Sequence, residues 1–144
     1  MHELPPPTTY DLEVRTAMGG IVARLTSWEE APEQRENVKL RLEFNDEVFE
    51  ALHESSFFRA LLELRRRLEP KGMMLVCYGA SENVFPSGMA VNMGNGGKAY
   101  RLTLGKPALM ADLVDIFDTG PEVVPVSVEK QEAFFQTWLR NVRK

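Results

Sequence analysis

Cysteine is almost missing from this chain. Cys77 stands alone among 144 residues, so no disulfide can close within it, and nothing in the count supports a secreted disulfide scaffold. Histidine is nearly as scarce: His2 and His53 are the whole supply. With a single cysteine beside them, a structural zinc site is not expected. No apolar run approaches the length of about eighteen residues that a spanning helix needs. The opening MHELPPPTTYDL has no cationic start followed by an apolar stretch, so no signal peptide is expected. Together these gaps make a cytoplasmic protein the simplest reading.

What is present is ordinary for a globular chain. Apolar residues make up 44% and charged residues 26%, enough for a real core at this length. Eight Phe and seven Met suggest a well-filled core that is partly plastic. The net charge of -4 is unevenly spread along the chain. Residues 1–54 carry 12 acidic and 5 basic groups, residues 55–101 carry 3 and 7, and residues 102–144 carry 6 and 5. Such polarity can steer a charged partner.

Periodicity then places the elements. Pro5-Pro6-Pro7 stiffens an extended arm over 1–9, ahead of a single globular α+β domain over 10–144. Leu12, Val14 and Thr16, then Ile21, Ala23 and Leu25, alternate with polar residues around Gly19-Gly20. That pattern fits either a hairpin or one long bulged strand. Val38, Leu40, Leu42 and Phe44 form the clearest strand. Asn45 or Asp46 then reads as the cap of a long helix over 47–68, which Pro70 and Gly72 end. The apolar run over 73–78 reads as a central strand buried on both faces. Tyr100 and Leu102 mark another strand, 108–117 a short helix, and 128–142 a final helix packed through Phe134, Phe135, Trp138, Leu139 and Val142. The expected fold is α+β: one mixed or mainly antiparallel sheet of about four to six strands, packed on one face by two main helices.

The segment CYGASENVFPSGMAVNMGNGG, over 77–97, concentrates glycine and asparagine between two apolar borders. Backbone shape therefore matters there. It fails the phosphate-loop pattern, because Asn92 and Ala99 stand where Gly and Ser or Thr are needed. Its glycines also precede a strand rather than open a helix, so a dinucleotide fingerprint is not met. Cys77 has no assured base beside it and reads as a buried structural thiol. Asp112, Asp115 and Asp118 recur every three residues without calcium-loop spacing and read as a solvated face. Arg65, Arg66 and Arg67 complement the end of the first helix and give it a polar surface. The acidic total argues against nucleic-acid binding.

Two functions remain. The leading one is a noncatalytic protein-interaction module. The chain resembles, in type and without a shared motif, the small acidic bacterial proteins that neutralise toxins as immunity proteins. In that reading Glu47, Glu50 and Glu54 share a helical face and meet a basic partner such as a nuclease. The other is a small enzyme or small-molecule-binding domain built on the loop over 77–98, with Tyr78 and Lys98 at its rim and Asn83, Asn92 and Asn95 as polar contacts. Phe85, Met89 and Met93 anchor that loop inward. No cofactor, metal, nucleic acid or membrane is expected; a protein partner is, and self-association is compatible with the sequence.

Overall fold

Alternation of apolar and polar residues builds the strands as the sequence implies. The computed structural model describes residues 3–142, except for the side chains of Met89 and Asn92; His2 therefore lies outside it. In β1 (Thr8–Thr16) and β2 (Gly19–Trp28), Leu12, Val14, Ala23 and Leu25 are buried, while Asp11, Arg15, Val22 and Arg24 are exposed. The strands pair antiparallel from Thr8↔Ser27 to Thr16↔Gly19, so the hairpin alternative is the one realised. Its turn is Ala17–Met18 rather than the glycine pair, and Thr16 Oγ1 closes it by donating to Gly19 O (2.9 Å) and accepting from Met18 N (3.1 Å).

The expected helix over 47–68 is two elements. β3 (Val38–Phe44) turns into β4 (Glu47–His53), its antiparallel partner from Val38↔His53 to Phe44↔Glu47. The physical reason is Asn45-Asp46. Both residues take positive φ, 48° and 63°, which is the backbone of the tight hairpin turn whose twist matches its strands. The pair makes that turn instead of capping a helix. Helix α1 (Phe57–Leu68) begins ten residues later than Glu47, capped by Ser56, whose Oγ accepts from Arg59 N (3.2 Å). His53 Nδ1 accepts from both Ser55 N (3.2 Å) and Ser56 N (3.1 Å), fixing the chain at the helix entrance. Gly72, at φ 77°, ends the segment in the left-handed conformation that only glycine takes without strain.

The run over 73–78 is likewise not a central strand. β5 (Met74–Val76) pairs only with β1, at the edge of a sheet ordered β4-β3-β2-β1-β5. The apolar run reflects instead the burial of the residues just beyond β5. Cys77 is fully buried, and Tyr78 N and Gly79 N donate to Asp118 O and Ile116 O, both at 2.8 Å. A second antiparallel sheet, ordered β6-β7-β8, comprises β6 (Val84–Phe85), β7 (Lys98–Arg101) and β8 (Leu113–Asp115). Residues 108–117 are thus a short 3-10 turn and a strand, not a helix. Asp112 Oδ2 accepts from Leu109 N (3.0 Å), spending that side chain on the turn. Helix α2 (Val128–Val142) has the expected bounds. It packs on β6 and α1 rather than on the large sheet.

The fold is therefore mixed α+β, with two antiparallel sheets and two main helices. The main core lies between the inner face of the large sheet and α1, through Leu12, Val14, Leu25, Leu40, Leu42, Phe58, Leu61 and Leu64. A smaller cluster around Tyr100, Leu102 and Trp138 seats α2. Phe85 joins the two, 5.3 Å from Phe58 and stacked 4.0 Å from Phe135 between ring centroids. Among the described residues no helix is long and apolar enough to cross a membrane.

Arg65 departs from its two neighbours. Arg66 and Arg67 are exposed as expected, but Arg65 is 1% exposed and Gln131 of α2 is equally buried. Arg65 Nη1 donates to Gln131 Oε1 (2.5 Å) and Gly79 O (3.2 Å), and Nη2 donates to Val126 O (2.9 Å). Its Nε lies 3.3 Å from Glu69 Oε2, an ion pair without hydrogen-bond alignment. Gln131 Nε2 shares its two N–H donors among Gly79 O, Ser81 O and Val84 O, at 2.8–3.0 Å. A residue read as surface charge is the polar centre of the molecule, because the loop after β5 turns carbonyls inward, Gly79 O among them, toward the side-chain donors of Arg65 and Gln131.

On the outer face of the large sheet, Glu50 bridges Arg41 Nε (2.7 Å) and Lys39 Nζ (3.3 Å), while Glu33 holds the same ammonium at 2.7 Å. Both cations also lie 5.2 Å from the Trp28 ring centre. The hydrogen bond from Arg41 pulls Glu50 below its ordinary value of 4.5, and the one from Lys39 does the same for Glu33. Carboxylates depressed in the folded state contribute stability that is present above the unfolded value and lost as pH falls through the folded one. Unfolding midpoints in urea should therefore decline as pH falls below the ordinary value of 4.5. Glu50→Gln should flatten that decline while weakening the protein at neutral pH. An unchanged acid slope in the variant would refute the assignment.

Candidate functional site

Two concave regions carry exposed chemistry. The first is a groove of about 570 Å³ at the hairpin end of the large sheet. Asp11, Val22, Arg24, Glu43 and Val48 lie along its open face, and Asp46 and Glu47 close one end. Val22 is 77% and Val48 57% exposed, unusual for valines in strands. Arg24 sits opposite Asp11 on one side and Glu43 on the other, yet no ion pair within 4.0 Å joins them among the described residues. Four carboxylates against one guanidinium leave this groove negative.

The second is a cleft of about 340 Å³ between the inner end of the large sheet, the start of α1 and the glycine loop. Pro5, Pro6, Tyr10, Phe57 and Phe117 supply apolar walls; Ser27, Glu29, Lys98 and Asp115 supply polar groups. Tyr10 and Phe117 rings are 5.1 Å apart, and Phe57 meets Phe117 edge-on at 5.7 Å. Asp115 is half-buried, and its Oδ1 accepts from Phe117 N at 2.9 Å. Burial raises its pKa and Asp118 adds to the rise, while the hydrogen bond from Phe117 N and the charge of Lys98 oppose it. Burial also raises the Tyr10 phenol, with Asp115 and Asp118 adding to it, while a hydrogen bond with Ser27 acts the other way.

The residues singled out from the sequence do not converge on one site. Glu47, Glu50 and Glu54 are on or just beyond a strand, not on a helical face: Glu47 closes the acidic groove, Glu50 is engaged by Lys39 and Arg41, and Glu54 is exposed in the turn before α1. Tyr78 donates its hydroxyl to Glu122, which also pairs with Arg101 (3.1 Å). Asn83 accepts from Ser81 Oγ and donates to Leu102 O, both at 3.4 Å. Asn95 is exposed at the loop tip in the left-handed conformation, φ 56°. The Asn92 side chain lies outside the described residues. Lys98 alone of this set lines the cleft, together with Gly94 and Gly97. Phe85 is anchored inward as expected and Met93 is half-buried; the Met89 side chain is outside the described residues.

Gly96 combines a left-handed backbone, φ 77°, with close packing: a Cβ there would lie 2.5 Å from Ser56 Oγ and 3.2 Å from Ser56 Cα. Valine at this position thus attacks the helix cap directly, so it does not separate binding from stability. Cys77 is sealed, and burial pushes its thiol up to about 11, which removes it as a nucleophile. Among the described residues no group of three or more His, Cys, Asp or Glu is placed to hold a metal ion. Comparison of the chain with protein-family models and with curated proteins gives no match.

Proposed function

We propose that this protein is a noncatalytic protein-interaction module of the toxin-neutralising, immunity type, which meets a basic partner protein through the open face of its large sheet. The observation that carries this reading is the acidic groove. Asp11, Glu43, Asp46 and Glu47 surround exposed Val22 and Val48, with Arg24 the one cation lining it among the described residues. Negative potential steers a basic partner and sets its register, and exposed valines supply the apolar contact that charge alone does not. The β3–β4 hairpin that carries Glu43, Glu47 and Val48 is paired from Val38↔His53 to Phe44↔Glu47. Two side chains able to act as nucleophile or base are engaged elsewhere: Cys77 in the core and His53 at the α1 entrance.

The test is affinity capture from the native lysate at low and moderate salt, using the parent chain and a Glu43→Lys/Glu47→Lys variant side by side. The expected result is a stoichiometric basic protein whose own activity the parent inhibits. The double charge reversal should slow its association at least tenfold, by removing the steering charge. Equal capture of that protein by parent and variant would overturn the choice of face. Recovery of the parent chain without any basic partner would overturn the function.

A further inference from the structure

The cleft beneath the proline arm is independent of the acidic groove, and its chemistry is different. We propose that it is a binding site for a small organic cation, a primary ammonium carried on an aromatic body. Three observations lead there. The walls are rings and prolines: Tyr10, Phe57, Phe117, Pro5 and Pro6. Aromatic faces present negative quadrupole to a ligand, which favours a cation over an anion at the same distance. The volume of about 340 Å³ lies at the lower end of the range for small-molecule sites, roughly 300–1,000 Å³.

The second observation is Asp115. Its Oδ1 is held by Phe117 N, so the carboxylate is oriented, and no donor among the described residues reaches its other oxygen. A half-buried carboxylate is partly desolvated, and an ammonium offsets what burial removed. The charged groups around it are Glu29 and Lys98, which line the cleft, and Asp118 just outside it. The balance is negative. The upward displacement of Asp115 by burial agrees with this geometry, since a bound cation would reverse it.

The third is the pair Tyr10 and Ser27 on adjacent strands, both lining the cleft and hydrogen-bonded to each other. A hydroxyl pair that shares one hydrogen bond keeps a second proton and lone pairs for a ligand, and suits a neutral polar group on the ligand body. Lys98, exposed at the rim, makes no ion pair within 4.0 Å among the described residues and would repel a cation. It therefore offers a test of opposite sign.

Tyramine serves as the probe, with 4-ethylphenol as its neutral counterpart and 4-hydroxyphenylacetate as the anionic one. Each is titrated into the isotopically labelled full chain at low salt, following amide shifts and carboxyl carbon resonances. Tyramine should move Tyr10, Lys98 and Phe117 amides and lower the measured midpoint of the Asp115 carboxyl, while both counterparts bind at least tenfold more weakly. Asp115→Asn keeps an oxygen to accept from Phe117 N and should weaken tyramine about tenfold, whereas Lys98→Ala should tighten it about twofold. Absence of tyramine binding at 10 mM overturns the proposal, as does equal binding of the anion. If Asp115→Asn fails to fold, Lys98→Ala decides: no tightening in that variant is the overturning result.

Discussion

Replacing Gln131 by leucine is expected to lower the unfolding free energy by about 3–5 kcal/mol, a large share of the roughly 5–15 kcal/mol that holds a domain folded. The side chain is 1% exposed and leucine matches its bulk, so packing is not the issue. Its Nε2 supplies donors to Gly79 O, Ser81 O and Val84 O, and its Oε1 receives the Arg65 guanidinium at 2.5 Å. Leucine leaves Ser81 O and Val84 O without that donor and a buried cation without its nearest neutral acceptor. Arg65 would retain Glu69 and the carbonyls of Gly79 and Val126, which keeps it charged but under-solvated. The measurement is a urea midpoint at neutral pH, with the slope unchanged from the parent. Arg65→Met should be similarly severe, because it strands Glu69, whose other oxygen accepts from Val128 N at the start of α2 (3.0 Å). The double variant should lose less than the two single losses combined, since each substitution removes a partner that the other leaves stranded. A Gln131→Leu loss below about 1 kcal/mol would show that these carbonyls find other donors.

That centre also shows where sequence reasoning stops. Strands over 10–28 and 38–44 were legible because one residue in two faces a core, and α2 because its aromatic residues recur at helical spacing. Arg65 was not, since a run of three arginines at a helix end has the same letters whether one of them turns inward or not. Only α2, which is distant in sequence, supplies Gln131 to receive it. Residues 47–53 failed for a local reason. Val48, Leu52 and the later leucines fit a helical stripe, while Val48, Glu50 and Leu52 fit a strand equally well; positive φ at Asn45 and Asp46 decides between them. The cleft is the least legible feature. Tyr10 and Ser27 come from one sheet, Asp115 from the other and Phe57 from α1, so no spacing along the chain joins them. Asp115 was visible only as one of three aspartates in a periodic run, a pattern that leads toward metal rather than toward an aromatic pocket.

Valine at position 79 is expected to cost at least about 3 kcal/mol, the upper end for overpacking a core. Gly79 is buried and its φ is not in the left-handed region, so backbone freedom is not what selects glycine here. Close approach is. A Cβ would stand 2.5 Å from Leu61 Cδ2, 3.0 Å from Ile116 Cβ and 3.1 Å from Ile116 O. Leu61 and Ile116 are fully buried, so moving either disturbs the packed core, and Ile116 O is the acceptor for Gly79 N at 2.8 Å. Any retreat of the segment therefore lengthens that bond and draws Gly79 O away from both Arg65 and Gln131. Gly88, in the same glycine-rich stretch, is the control. Its φ is +58° and nothing lies within 4 Å of a Cβ built there. Alanine at 88 should cost only the left-handed backbone strain of about 1–2 kcal/mol. Urea titrations of Gly79→Ala, Gly79→Val and Gly88→Ala separate the two mechanisms. Loss should climb steeply from alanine to valine at 79, because each added methyl meets fixed atoms. A valine variant no less stable than alanine would show that α1 and the segment at 116 part easily, and that the contact between them is not what closes the core.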